Sequence, residues 1–596
     1  MSGVRAQEMH KAPPRGLIVF FRRQPLLRGR EASSKSCGYW FLAVAFLLFT
    51  TLAPAVERPP AAAVASAHPL ATAAGLEILQ AGGNAFDAAI AVSAALAVVE
   101  PYSSGLGGGG FYLLHRARDR RDVMIDARER APQSAHADMY LDPTGAIIPN
   151  RSLDGPLAAG IPGEPAALAH LAARYGRLPL ANSLAPALRY AREGFAVDEH
   201  YVRMSTARLE ALRAVPEAAR IFLADGAPLT PGARLQQPDL AHTLEVLVAR
   251  GAAGFYSGEL AGRLVDGVRA AGGNWTAEDL AEYRVIERKP LQGEYRSLRI
   301  ITAAPPSSGG VVLLETLNIL SGYDLDKLDA VTRDHLLIEA MRRAYRDRAE
   351  YLGDPDVVTM PLDTLLAPAY AAGLRAAIRP DLATSSAALP GAAPAPQGDD
   401  TTHFSIIDRD GNLGAATLSI NMPFGSGFVV PGTGVLLNDE MDDFSAKPGA
   451  PNAFGLVGAQ ANAIAPGKRS LSSMTPTFVT DARGVTLLGT PGGSRIISMV
   501  LLGVLDIAAG KTLEDMVERP RVHHQFLPDV VEYEATAFST EELEGLQKLG
   551  HSLKPVDGTY GNMQAVFWDR KNKRVTAASD PRGGGQARVD PPAALP

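Results

Sequence analysis

Asp400-Thr401-Thr402-His403-Phe404-Ser405-Ile406-Ile407, followed by Asp408-Arg409-Asp410-Gly411-Asn412 and then Leu413-Gly414-Ala415-Ala416-Thr417-Leu418-Ser419-Ile420, is the stretch on which the fold turns. Two β-prone runs flank Asp410-Gly411, a strong short-range hairpin signal. With Asp410-Gly411 as a two-residue loop, Thr402 faces Ser419 and Asn421 lies beside the start of the strand at Thr401, within a slip of a residue or two. Upstream, residues 381–400 are rich in Ala, Pro, Ser and Gly with little apolar periodicity, which reads as an exposed connection and sets a boundary near residue 400.

A threonine that opens a strand behind such a connection has chemical meaning. Were the Asp400–Thr401 bond cut, Thr401 would carry both a nucleophilic hydroxyl and a free α-amine, whose ordinary pKa of about 8 suits a general base. Ser419 and Asn421 would sit within hydrogen-bonding reach of it. Thr401, Thr402 and His403 also fit an ordinary strand, and hairpin geometry alone does not decide between the two.

Working outward, Leu70–Gln80 and Ala85–Val99 carry Ala-rich helical spacing broken by Gly82-Gly83-Asn84, so they read as two helices joined by a glycine turn. Gly105-Leu106-Gly107-Gly108-Gly109-Gly110 formally satisfies the dinucleotide fingerprint. That motif needs a strand before it and a helix after it. Here a helix precedes and Phe111-Tyr112-Leu113-Leu114 follows as a strand, so nucleotide binding is rejected. Gly510-Lys511-Thr512 lacks the earlier Walker glycine, because position 505 is Leu, and reads as a helix end. Helices dominate 165–247 and 332–352, with strands near 292–302. Gly492-Gly493-Ser494-Arg495 follows an apolar strand and opens a helix to about Ile507; two glycine amides there could form an oxyanion pocket, though these residues alone do not require one. His523 and His524 are adjacent, point to opposite faces of a strand and read as structural. No G-x-S-x-G elbow and no H-E-x-x-H zinc motif occurs, and no metal or cofactor is expected.

The chain has 596 residues, with 58 Lys+Arg against 64 Asp+Glu. Residues 1–55 hold eight of the basic residues and two of the acidic ones, so their removal takes the formal charge from −6 to −12. An acidic protein of this kind is poorly suited to neutralising phosphates, and nucleic acid is not expected as a partner. Arg22, Arg23, Arg28, Arg30 and Lys35 precede an apolar run from Tyr39 to Leu52 and then Ala53-Pro54-Ala55, the pattern of a secretory signal with its cleavage site. An uncleaved membrane anchor is the alternative, although the run is shorter than the roughly 20 residues that span a bilayer. The single cysteine, Cys37, precedes the run, so the exported chain would contain no disulfide, thiol nucleophile or Cys-ligated zinc.

Seven strings, in order between about Val64 and Pro581, resemble the gamma-glutamyltransferase (gamma-glutamyltranspeptidase) family: Gly82–Ala89, Ser104–Gly109, Pro306–Gly310, Thr401–Ser405, Asn438–Ser445, Leu471–Met474 and Thr490–Arg495. The resemblance implies an N-terminal-nucleophile hydrolase fold, an αββα sandwich of two subunits cut from one precursor before Thr401. Residues 1–55 would be the signal, 56–400 the large subunit and 401–596 the small catalytic subunit of a heterodimer, exported to a bacterial periplasm. It further implies that Thr401 attacks first its own upstream peptide bond and then a γ-glutamyl carbonyl.

By the same resemblance, Arg128 clamps the γ-glutamyl α-carboxylate together with Ser472 and Ser473, Glu440 and Asp443 hold the α-ammonium, Asn421 reaches that amino group, and Gly492 and Gly493 supply the oxyanion hole. A guanidinium fork independently suits a carboxylate. Two positions depart from the family pattern: Ser419 stands where a threonine commonly bonds the nucleophile, and Phe454 stands where the lid, here Lys447–Phe454, often carries a tyrosine. The expected activity is transfer of a γ-glutamyl group from glutathione or another γ-glutamyl amide to water, amino acids or short peptides. A cephalosporin acylase acting on glutaryl groups and a catalytically silent γ-glutamyl-binding protein are the alternatives. The lid and Asp443 speak against the first, and an intact Thr401, Gly492 and Gly493 against the second.

Overall fold

The computed structural model describes residues 57–389, 401–447 and 449–590. The segment expected to direct export, Asp400 and Pro448 lie outside the described residues.

Thr402–Ile407 and Leu413–Ser419 do form an antiparallel hairpin, and every residue of both strands is buried. Its register differs by one from the two-residue-loop expectation: the last pair is Ile407 with Leu413, and Thr402 pairs with Leu418, not Ser419. The cause is the Asp408 side chain. It accepts the backbone amides of Asp410 and Asn412, each at 2.9 Å, and the Asn412 side-chain amide at 2.7 Å. These bonds stabilise a five-residue loop over 408–412 in place of the tight turn. Because side chains alternate along a strand, a one-residue shift exchanges the faces. Continued one step outward, the observed register sets Thr401 opposite Ser419.

The hairpin lies at the centre of a seven-stranded sheet ordered Gln586–Val589, Ala63–Ser66, Thr402–Ile407, Leu413–Ser419, Gly109–Arg116, Arg121–Ala127, Ile286–Arg288. A second sheet runs Arg574–Ser579, Gln564–Asp569, Gly484–Gly489, Thr477–Thr480, Leu298–Thr302, Leu291–Tyr295. The alternation of side chains then builds four layers. Ala63, Ala65, Leu113, Ile407 and Ala415 of the first sheet meet Phe478, Val485, Leu487, Val566 and Trp568 of the second in one core. Val64, Tyr112, Leu114, Phe404 and Ile406, on the opposite face, pack on helices that include Pro69–Gln80, Ala85–Val99 and Leu180–Glu193. Val479, Leu488 and Ala565 pack outward on Gly309–Leu320, Ala330–Tyr351 and Ile496–Ala508. The result is the expected αββα sandwich. Residues on both sides of the junction at 400 share its first sheet.

Local signals hold closely. Asn84 caps Ala85–Val99, accepting the amides of Phe86 and Asp87, while Asp87 reaches back to the Asn84 amide at 2.9 Å. The glycine run at 105–110 precedes a strand, Gly109–Arg116. Its glycines serve close backbone packing: a β-carbon on Gly107 would collide with the Leu436 carbonyl and one on Gly108 with the Ser419 carbonyl. Thr512 caps the short helix that follows Gly510.

Candidate active site

Thr401 stands just before the strand Thr402–Ile407 and is buried. Across from it the Ser419 hydroxyl accepts the Asn421 amide at 2.8 Å. Asn421 takes a left-handed backbone, φ +77°, and its side-chain nitrogen donates to the Asp439 carbonyl at 3.0 Å. On the second sheet the strand Gly484–Gly489 leads to Gly492 and Gly493, with φ of +130° and +53°, and thence into Ile496–Ala508. Positive φ at two successive positions favours glycine and lets the chain turn sharply there.

Arg128 follows directly on the strand Arg121–Ala127 and is 1% exposed. Its Nη1 lies 2.6 Å from Glu440 Oε2, its Nη2 bonds Asp443 Oδ2, and its Nε donates to the Ser470 carbonyl at 3.3 Å. Glu440 and Asp443 come from a single helical turn, Glu440–Asp443. The guanidinium is thus held by the two carboxylates assigned to a substrate ammonium. Burial opposes its charge, but Glu440, Asp443 and Glu129 outweigh that and raise its pKa. Burial pushes Glu440 well above the ordinary carboxylate range, with Arg128 pulling the other way. Behind this cluster, burial raises Glu129 to about 7 against the attraction of Arg128. It raises Glu164 to about 8, against the Tyr112 hydroxyl that donates to it at 2.7 Å.

Ser472 and Met474 are held by residues that precede position 400 in the chain. The Ser472 amide donates to the Pro306 carbonyl at 2.9 Å, and the Ser307 hydroxyl donates to the Met474 carbonyl at 2.5 Å. Asp442 accepts the Ala453 amide at 2.7 Å, and Asn452 Nδ2 donates to Asp443 Oδ1 at 3.2 Å, which ties the lid to the acidic turn. Phe454 lies over Gly493 with its carbonyl accepting from Gln525 at 3.2 Å.

These elements close on one small cavity. Arg128, Thr401, Ser419, Asn421, Glu440, Asp443, Ser472, Ser473 and Gly493 all line it; Gly492 precedes Gly493 without lining it. Sequence reasoning missed Leu456, Met474, Ser494 and Ile496 of the wall, together with Glu129, Ser308 and Arg348 behind it. The Pro306–Gly310 string marked Ser308, but nothing in the helical pattern distinguished Arg348 from its neighbours.

His335, Glu339 and His551 form a buried cluster with metal-ligand chemistry, away from the cavity wall. His335 Nδ1 lies 2.8 Å from His551 Nε2, and the Glu339 carboxylate is taken up by Arg342, Arg343 and the Thr384 amide. His523 and His524 are likewise buried, bonding Ser498 and Asp529, and burial lowers them to about 3 and about 4. Neither lines the cavity.

The gamma-glutamyltranspeptidase family model matches residues 71–589. A glutathione hydrolase proenzyme of Pseudomonas sp. (strain A14) is 45% identical over 82% of this chain and 86% of its own. One from Escherichia coli (strain K12) is 41% identical over 87% of this chain and 90% of its own. The crystal structure of cephalosporin acylase from Bacillus halodurans is 30% identical, with a TM-score of 0.77 over 89% of this chain and 96% of that one. With nine of the ten residues expected to catalyse or bind on one cavity wall and a family model spanning most of its length, the chain belongs to the gamma-glutamyltranspeptidase family.

Proposed function

We propose that this protein is an autoprocessing gamma-glutamyltransferase and glutathione hydrolase. The observation that carries the reading is the opposition, on one cavity wall beside Thr401, of a guanidinium and two carboxylates. They are paired with one another across the cavity wall. An α-amino-acid head brings one carboxylate and one ammonium, and can exchange with them charge for charge: the carboxylate on Arg128, Ser472 and Ser473, the ammonium on Glu440, Asp443 and the Asn421 side chain.

In this reading the Thr401 hydroxyl first attacks the carbonyl of residue 400; the C–N bond breaks as the ester forms, which frees the α-amine, and water then hydrolyses the ester, releasing the carboxylate of residue 400 and restoring the Thr401 hydroxyl. That amine then takes the hydroxyl proton as Thr401 attacks the γ-glutamyl carbonyl. The amides at Gly492 and Gly493 receive the oxyanion, the leaving amine departs with a proton, and water, an amino acid or a short peptide accepts the acyl group. Ser419, opposite Thr401 in the ladder, orients the nucleophile's hydroxyl. Cleavage would yield a large subunit 56–400 and a small subunit 401–596. Export is part of the proposal and rests on the basic and apolar pattern of residues 1–55.

The likeness to a cephalosporin acylase favours a second reading, hydrolysis of glutaryl amides. A glutaryl group offers its carboxylate to Arg128 but nothing to Glu440 and Asp443, which is why the γ-glutamyl reading is preferred. Intact masses of purified precursor, incubated alone, test maturation: Thr401 should appear as a new N-terminus and Thr401→Ala should stay whole. Turnover of γ-glutamyl-p-nitroanilide beside a glutaryl anilide tests the substrate. Maturation of Thr401→Ala at the same bond, or preference for the glutaryl compound, would defeat the proposal, as would an uncut chain that only binds.

A further inference from the structure

Ser473 can hold a substrate carboxylate only if its hydroxyl proton points into the cavity, and a buried arginine behind it supplies the means. Arg348 lies in the last turn of Ala330–Tyr351, is 4% exposed and does not line the cavity. Its Nη2 donates to Ser473 Oγ at 3.2 Å and its Nε to Ser308 Oγ at 2.8 Å. A guanidinium has donors and no acceptor. Both serines therefore accept from it, and each keeps its own proton for another partner.

Ser308 gives its proton to the Ser472 carbonyl at 2.7 Å, the same oxygen that takes the Ser308 amide at 2.8 Å. One side chain thus polarises the Ser473 hydroxyl directly and secures the Ser472 backbone through Ser308. Burying a charge against neutral hydroxyls is costly, which argues for a use beyond packing. The charge is also felt at the site: burial pulls Arg348 down to about 10, while Asp443 on the cavity wall pulls it up.

We propose that Arg348 is a positioning residue for the substrate α-carboxylate. It directs the Ser473 proton into the cavity and adds a second positive charge behind Arg128. The inference rests on the reading of the cavity as an α-amino-acid site. Its test uses the matured enzyme with two substrates, γ-glutamyl-p-nitroanilide and 4-aminobutanoyl-p-nitroanilide, which lacks the α-carboxylate.

Ser473→Ala should raise KM for the first substrate about tenfold, as loss of a hydrogen bond to a charged group implies. Arg348→Lys keeps the charge, but one ammonium cannot span both serines. It should raise the same KM about fivefold with kcat within about twofold, and add less than about twofold on top of Ser473→Ala. Neither variant should change KM for 4-aminobutanoyl-p-nitroanilide. Ser308→Ala removes only the relay and should raise KM for the γ-glutamyl substrate about threefold, which keeps the test open if Arg348→Lys fails to mature.

An unchanged KM in Arg348→Lys or Ser308→Ala beside a raised one in Ser473→Ala would overturn the inference alone. So would equal losses on both substrates. An unchanged KM in Ser473→Ala would overturn the cavity reading, and this inference with it.

Discussion

Phe454 covers Gly493 so closely that a β-carbon added to the glycine would collide with its ring. The lid aromatic and the proposed oxyanion amide therefore move together. Gly493→Ala keeps the amide and, at φ +53°, costs the backbone about 1 kcal/mol, so the protein should still fold. It should nonetheless lose about 100-fold in kcat as the amide is displaced. Phe454→Ala alone should stay within about threefold, and the double variant should recover to within about tenfold if the collision is the cause. Steady-state kinetics on matured proteins decide; a double variant as poor as Gly493→Ala would remove the ring from the explanation.

Arg128 meets Glu440 and Asp443 through different nitrogens, so no single-point cation can replace it. Arg128→Lys keeps the charge but loses the planar fork, so it should lower kcat/KM for γ-glutamyl-p-nitroanilide by about 100-fold, as loss of a charge-assisted hydrogen bond worth about 1.5–3 kcal/mol implies. Maturation, which involves no substrate carboxylate, should proceed. Asp443→Asn should narrow the preference for γ-glutamyl over glutaryl anilide; a ratio of kcat/KM values that does not move would make the acidic turn purely structural.

Glu164 is expected to make stability fall as pH rises. Its folded pKa of about 8 lies above the ordinary 4.5, so between those values the folded protein holds a proton that the unfolded chain releases. Stability is lost through that window and stays lost above it. Glu164→Gln keeps an acceptor for Tyr112 and removes the titration. Its Tm should gain on the parent by about 5 °C between pH 5 and pH 8.5. Thermal melts giving a constant difference would mean that Glu164 does not hold its proton in the fold.

Asp408 joins the hairpin loop to the helix layer, accepting the Ala85 amide at 2.9 Å as well as its loop partners. Asp408→Ala leaves these buried donors unmet and should cost about 2–4 kcal/mol in chemical denaturation. It should also slow release of Thr401, because the loop sets the register that brings Ser419 opposite. Maturation at the parental rate would separate the loop from the register.

Features carried by neighbours in sequence were legible. The Asn84–Asp87 capping box and the hairpin at 402–419 could be read because their partners lie within a few residues. The register was missed because a two-residue turn rule takes no account of a side chain such as Asp408 reaching forward to hold a longer loop. The pairing of Ala63–Ser66 with Thr402–Ile407 joins positions some 340 residues apart, and no local pattern announces it. Thr401, Ser419, Asn421 and Gly493 could be suspected from the hairpin and the glycine turn, whereas Glu440, Asp443, Ser472 and Ser473 could be named only as a family pattern; alone, Ser472 and Ser473 are two polar residues in a loop. Arg348 stayed hidden because a helix with Arg342, Arg343, Arg346 and Arg348 reads as a solvated face, whereas three of these four arginines are buried.

In the first sheet a strand from before residue 400, Ala63–Ser66, is flanked by two from after it, Thr402–Ile407 and Gln586–Val589. Cutting at the proposed bond breaks the thread but no rung of the ladder. Dilution alone should therefore not part the two pieces, since parting them means unravelling the sheet. The path back changes all the same. An uncut chain carries its missing strand with it, whereas a cut and denatured one must meet its other half in solution, a concentration-dependent search in competition with aggregation. Processing would then make assembly an event that each molecule passes through once.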